Sequence, residues 1–141
     1  MKRYHVNRTI NASPGRIWGL LTDGANYQSW NPAVIRVEGK IAPGETIKVV
    51  AKVNPDRTFP VKVSSVTPER SMTWSGGMPL GLFKGVRTFT LTPRGTDSTE
   101  FSMEEVYSGL LQPLIGRSVP DMTESFEQYA TGLKQRAEAG G

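Results

Sequence analysis

The stretch from residue 108 to 139 constrains this chain most, because it holds the only long helical pattern. Met122, Phe126, Tyr129, Ala130, Leu133 and Ala137 recur at the 3.6-residue spacing that puts them on one helix face. Leu111, Leu114, Ile115 and Val119 carry the same stripe upstream. Asp121, Glu124 and Glu127 gather toward its start and Lys134 and Arg136 toward its end, which complements the helix dipole. Pro120 removes a backbone donor and disfavours the helical conformation at Val119, so a kink or short break is predicted between residues 116 and 120, with Ser118 and Asp121 opening a fresh turn. A solitary amphipathic helix in a chain dominated by strands must lie on the sheet.

The rest of the chain supplies that sheet. Residues 4–11 alternate, with Val6 and Ile10 on one face and His5, Thr9 and Asn11 on the other, as in a half-buried strand. Ser13 and Pro14 read as N-cap and first residue of a short helix to Thr22, with Ile17, Leu20 and Leu21 sharing a face and Asp23-Gly24 ending it. A second helical turn over 25–29 leads into Trp30-Asn31-Pro32. Six strands follow, at 34–38, 46–53, 59–66, 72–75, 84–92 and 99–107, parted by turn residues such as Pro43-Gly44, Gly76-Gly77 and Pro93-Arg94-Gly95-Thr96. The order predicts an α+β fold: a strongly curved, seven-stranded antiparallel sheet wrapped around the long C-terminal helix, with two short helices between strands one and two. One domain over 1–141 accommodates it.

At 141 residues the chain can bury a core without covalent staples. It has no cysteine and a single histidine, His5, so disulfide frameworks, thiolate chemistry and zinc centres are not expected, and neither is a metal or other cofactor. The start of the chain alternates instead of forming an apolar signal, and no run is long enough to span a bilayer, so a cytoplasmic protein without stable membrane insertion is expected. Residues 1–96 carry 14 basic and 5 acidic groups, whereas 97–141 carry 3 and 8. The basic residues are spread singly over many strands, which argues against nucleic acid as a partner and for oppositely charged surfaces meeting within one domain. Oligomeric state is not encoded in any of these signals.

Strand parity locates the chemistry. In 84–92, Val86, Thr88, Thr90 and Thr92 suit an outer surface, while Phe89 and Leu91 point inward together with Arg87. In 99–107, Phe101, Met103 and Tyr107 point inward with Glu105. Two opposite charges on adjacent strands of an apolar face should pair, since an unpaired buried charge costs several kcal/mol, roughly. The pair serves either as a plug for a tapered interior or as a polar anchor for a mostly apolar ligand. Residues 76–83 interleave Met78, Leu80 and Leu82 with glycine and proline before Phe83, giving an apolar loop that either covers a cavity mouth or tucks onto the sheet edge. Trp30, Trp74 and Phe59 join Phe83, Phe89, Met103, Met122 and Phe126 as candidate ligand contacts around Arg87, Glu105 and Tyr107, with Met78 on the loop. His5 reads as outward, so a Ser-His-Asp site has little support, and Glu105 is the one acid that parity places inside. Modest acid-base work by Glu105 and Tyr107, with Arg87 as electrophile stabiliser, remains open.

These residues resemble the START-like or SRPBCC superfamily, specifically its polyketide cyclase/dehydrase-like and lipid-transport branch, over nearly the whole chain. Ala12-Ser13-Pro14 with Ile17-Trp18 and Leu20-Leu21-Thr22-Asp23 looks like its opening helix, and Tyr27 with Trp30-Asn31-Pro32 like the segment that follows. Met72-Thr73-Trp74, residues 85–91, and Phe101, Met103, Glu105, Tyr107 and Ser108-Gly109-Leu110-Leu111 run in the family's order. The family's glutamate is kept as Glu105, while positions where related sequences often carry histidine hold Arg87 and Met103. The resemblance implies a helix-grip fold with an elongated hydrophobic cavity, hence binding or transport of a hydrophobic or amphipathic, lipid- or polyketide-like small molecule. A cofactor-independent polyketide cyclase or dehydratase is the alternative, and a structural module a third.

Overall fold

Inward-facing apolar residues at every second strand position bend the chain into one sheet. The computed structural model describes residues 2–78, 80–115 and 121–139, with backbone alone at 78, 114 and 115. Among the described residues, strands β1 (Lys2–Ile10), β2 (Val34–Glu38), β3 (Thr46–Ala51), β4 (Phe59–Thr67), β5 (Ser71–Met78), β6 (Phe83–Gly95) and β7 (Ser98–Ser108) form a seven-stranded antiparallel sheet ordered β1-β7-β6-β5-β4-β3-β2. Helix α1 (Pro14–Thr22) and a 3-10 helix (Gly24–Ser29) carry the chain from β1 at one edge to β2 at the other. After β7 come a short helix α2 (Gln112–Ile115) and the long helix α3 (Thr123–Ala139), the latter about 25 Å long at 1.5 Å per residue. This is the helix-grip α+β arrangement. No helix among the described residues is long and apolar enough to cross a membrane.

The local signals act as anticipated at α1. Ser13 Oγ accepts from the Arg16 amide at 3.2 Å, Pro14 fills a position that needs no donor, and Ile17 and Leu21 are buried. The core lies between the concave sheet face and α3: Val6, Ile10, Met72, Phe89, Leu91, Phe101 and Met103 on the sheet meet Phe126, Tyr129, Ala130, Leu133 and Ala137 on the helix. Polar ties fix the helix along β1. Lys134 donates to the Thr9 carbonyl at 2.8 Å, Glu138 accepts from the Asn11 amide at 2.8 Å, and Arg8 pairs with Glu127. Arg16 donates to the Arg136 carbonyl at 3.2 Å, satisfying a group that the helix end leaves open.

Two expectations need correction. The chain does not become helical at residue 108: β7 runs through Ser108, and Leu110 and Leu111 then donate to the carbonyls of Gly81 and Leu82 at 3.1 and 2.7 Å, so this segment pairs with a neighbouring turn. The long helix instead opens beside Asp121, whose carboxylate accepts from the amide and hydroxyl of Thr123 at 2.9 and 2.7 Å. Ser118, Val119 and the break predicted before Pro120 lie outside the described residues. Nor do Gly76-Gly77 end β5, which continues to Met78. A Cβ on Gly77, where φ is +133°, would sit 2.4 Å from the Phe83 carbonyl oxygen, so the glycine serves a close backbone crossing inside the hairpin and not its turn.

Two substitutions test this packing. Phe126→Ala should lose about 3–5 kcal/mol in urea unfolding, as for a large-to-small core change, and a loss under about 1 kcal/mol would contradict the burial of the helix face. Gly132→Ala would ordinarily help a helix by about 1 kcal/mol. Here the added Cβ meets the Trp30 carbonyl oxygen at 2.1 Å, so the same measurement should show destabilisation.

Candidate functional site

The core does not fill the whole space between sheet and helix. Toward the β3–β5 end lies a cavity of about 380 Å³, walled by Val34 on β2, Val49 and Ala51 on β3, Phe59 and Val61 on β4, Trp74 on β5, Met122 just before α3, and Ser125 and Tyr129 on α3. Arg87, Glu105, Tyr107 and Phe83 complete it from β6 and β7. Its size falls in the usual range for small-molecule pockets, and its wall is mostly apolar.

The β6–β7 ladder sets Arg87 directly opposite Glu105, and Arg87 Nε donates to Glu105 Oε1 at 2.6 Å. Their side chains are 14% and 13% exposed. The guanidinium also lies over two rings of α3, 4.9 Å from the Phe126 centroid and 5.6 Å from that of Tyr129. Burial works most strongly against its charge, yet the Glu105 carboxylate together with Tyr129 and Tyr107 outweighs that and raises the Arg87 pKa above its ordinary value. The pair is therefore charged and oriented, held between an ion partner and two aromatic faces.

Three tyrosines extend this polar centre. Tyr129 donates to the Tyr27 hydroxyl at 3.1 Å, and Tyr27 donates to the Leu21 carbonyl. Burial pushes the Tyr129 phenol up, with the Arg87 charge pulling only partly the other way. Burial also raises Tyr27, reinforced by Tyr129. Tyr107 is raised by burial and by the charge and hydrogen bonding of Glu105. All three stay protonated at neutral pH, so they hold and donate protons and do not act as bases.

Of the residues singled out in the sequence, Phe59, Trp74, Phe83, Arg87, Glu105, Tyr107 and Met122 line the cavity. Phe89 and Met103 are fully buried behind its wall, and Phe126 lies under the guanidinium. Trp30 packs against Tyr27 and Tyr129 at 4.8 and 5.7 Å and borders a separate shallow groove on the other side of α3. The Met78 side chain lies outside the described residues. Within the stretch read as either a cavity cover or a loop tucked onto the sheet edge, Leu80 is at the surface with 92% exposure, as is Leu110 at 81%. His5 is outward and bonds Ser102 across β1 and β7 at 3.0 Å, away from the cavity. Among the described residues no cluster of acids, histidines or cysteines could hold a metal ion.

Sequence reasoning missed Val34, Val49, Ala51, Val61, Ser125 and Tyr129, among others, as cavity wall. Met122, Ser125 and Tyr129 sit at i, i+3 and i+7, one face of a helix, which was the available signal.

Residues 1–138 match the model of a family described as polyketide cyclase / dehydrase and lipid transport. Three solved structures share the fold. A Mesorhizobium loti protein is 24% identical over 95% of both chains, with a TM-score of 0.73. A START superfamily protein from Mycobacterium smegmatis is 17% identical over 99% of both, also with a TM-score of 0.73. The di-domain ARO/CYC BexL from the BE-7585A biosynthetic pathway is 13% identical over 96% of this chain and 46% of that one, with a TM-score of 0.72. At these identities the likeness establishes the fold. No curated protein sequence matches the chain.

The ion pair and the tyrosines each generate a prediction. Arg87→Met or Glu105→Gln alone should cost about 3 kcal/mol in denaturant unfolding, and the double variant less than the sum by about 1 kcal/mol or more. Simple additivity would mean that the groups do not interact. The raised phenols contribute stability that is fully present below the unfolded tyrosine pKa of about 10 and is lost as pH rises beyond it, because the unfolded chain gives up its protons first. Unfolding free energy should therefore hold up to about pH 10 and fall above it, with phenolate absorbance appearing later in the folded than in the unfolded protein.

Proposed function

The chain belongs to the polyketide cyclase/dehydrase and lipid-transport family, and from that premise we propose that it binds and carries a hydrophobic or amphipathic small molecule in the cavity between the sheet and α3. One observation carries this reading: an apolar chamber of about 380 Å³ with a single oriented ion pair set into its inner wall. Apolar walls reward removal of hydrocarbon from water at about 25 cal/mol per Å², which gives affinity without choosing between chains. The pair supplies direction, since the polar end of a ligand gains hydrogen bonds only beside it. The cytoplasm is the setting proposed for such a carrier.

A second reading rests on the convergence of Arg87, Glu105 and Tyr107 on the same chamber: a cofactor-independent cyclase or dehydratase, with the guanidinium stabilising negative charge on a substrate oxygen and Glu105 exchanging a proton. Turnover of a polyketide substrate that disappears in Glu105→Gln would favour it.

Organic extraction of the purified protein, followed by mass spectrometry, tests the carrier directly, and a reproducible co-purified apolar compound is the expected result. In parallel, Val61→Phe fills the chamber from β4. It should weaken binding of the neutral fluorophore N-phenyl-1-naphthylamine at least tenfold while unfolding stability changes by about 1 kcal/mol or less. Unchanged fluorophore affinity would place binding elsewhere.

A further inference from the structure

We infer that the chamber selects ligands whose polar end is a neutral hydrogen-bond acceptor, a carbonyl oxygen above all, over ends that carry a full charge of either sign. This rests on the carrier reading and deepens it. The first ground is charge balance. Arg87 and Glu105 already neutralise each other at 2.6 Å inside an apolar wall. A carboxylate end placed there would add a second negative charge beside Glu105, and an ammonium end a second positive charge beside Arg87, each desolvated without a partner. The other charged residue on the wall, Arg57, is exposed and lies over Phe59, where solvent screens it.

The second ground is the kind of hydrogen-bonding capacity left over. A guanidinium has five N–H donors, of which Nε serves Glu105 and another faces the Tyr129 hydroxyl, leaving three. Glu105 already accepts from that Nε and interacts with the Tyr107 phenol, whose proton is held tightly. Directly across the β5–β6 ladder from Arg87 stands Trp74, which lines the same chamber and whose buried indole N–H has no partner among the described residues. Its neighbourhood therefore offers unspent donors from two adjacent strands. Buried donors left without partners are uncommon in folded proteins, and one acceptor oxygen near Arg87 and Trp74 would answer both. A ketone, ester or quinone oxygen meets that need without disturbing the charge balance. A hydroxyl meets it in part, and an ammonium, which only donates, does not.

The test uses four eight-carbon compounds, octanone, octane, octanoate and octylamine, each displacing N-phenyl-1-naphthylamine from the full chain at pH 7.4. Octanone should bind at least tenfold more tightly than octanoate or octylamine, and several-fold more tightly than octane. Trp74→Phe keeps the ring and removes the N–H, so it should shrink the ratio of octanone to octane affinity several-fold. Arg87→Met combined with Glu105→Gln keeps the wall neutral and should bring that ratio close to one. Octanoate or octylamine binding as tightly as octanone would overturn the inference, as would an octanone advantage that survives in both variants. If none of the four displaces the fluorophore, the carrier reading itself falls and this inference falls with it. If octane and the others bind alike, the carrier reading stands and the head-group inference alone is wrong.

Discussion

A guanidinium can sit inside an apolar chamber only if something replaces the water it has lost, and in this protein that requirement ties sheet, helix and cavity together. Glu105 reaches Arg87 because adjacent strands put them opposite each other, and Phe126 and Tyr129 reach it because α3 lies in the grip of the sheet. Each ring is simultaneously part of the hydrophobic face that anchors the helix. Displacement of α3 would therefore unsettle the ion pair, and loss of the pair would leave a charge under the helix. The polar centre and the packing of the helix are one arrangement.

Tyr129 shows how the arrangement grades from structure into site. Its ring packs against Tyr27, Trp30 and Phe89, its hydroxyl bonds Tyr27, and it also borders the chamber. The chamber is thus a region of the core in which side chains stop short of meeting. Small residues on its wall, Ala51 on β3 and Gly85 on β6 among them, leave that room.

This explains which parts were legible in the sequence. The fold was, because period-two strands and one period-3.6 stripe each state a buried face, and only a curved sheet around a helix satisfies both. Arg87 and Glu105 were legible because a charge in an inward parity position is conspicuous. The extent of the chamber was not. Inward parity places Phe89 and Phe59 alike, yet the first is sealed behind the wall and the second lines the space, a distinction set by the summed volumes of residues from six strands and a helix. The ends of β5 and of the C-terminal helix were misjudged for a related reason. Glycines at 76 and 77 look like a turn unless one sees that Phe83 passes close by, and the segment after Ser108 looks helical unless one sees the hairpin turn with which it pairs. Both answers depend on chain far away in sequence.

The strand order has a consequence for how the molecule is made. β1 and β2 are close in sequence yet occupy opposite edges, and the neighbour of β1 is β7, with Lys2 opposite Tyr107 and Ile10 opposite Thr99. As the chain emerges from the ribosome, the first strand must wait for the last before it has a ladder partner, a delay of roughly 5–20 s at typical elongation rates of 5–20 residues per second. The meander from β2 to β6 meets no such delay, since each strand pairs with the next. Pairing of β1 with β7 is then a late step that adds the last edge strand to the sheet, and until it happens the nascent β7 edge is open to chaperones and to pairing with other chains.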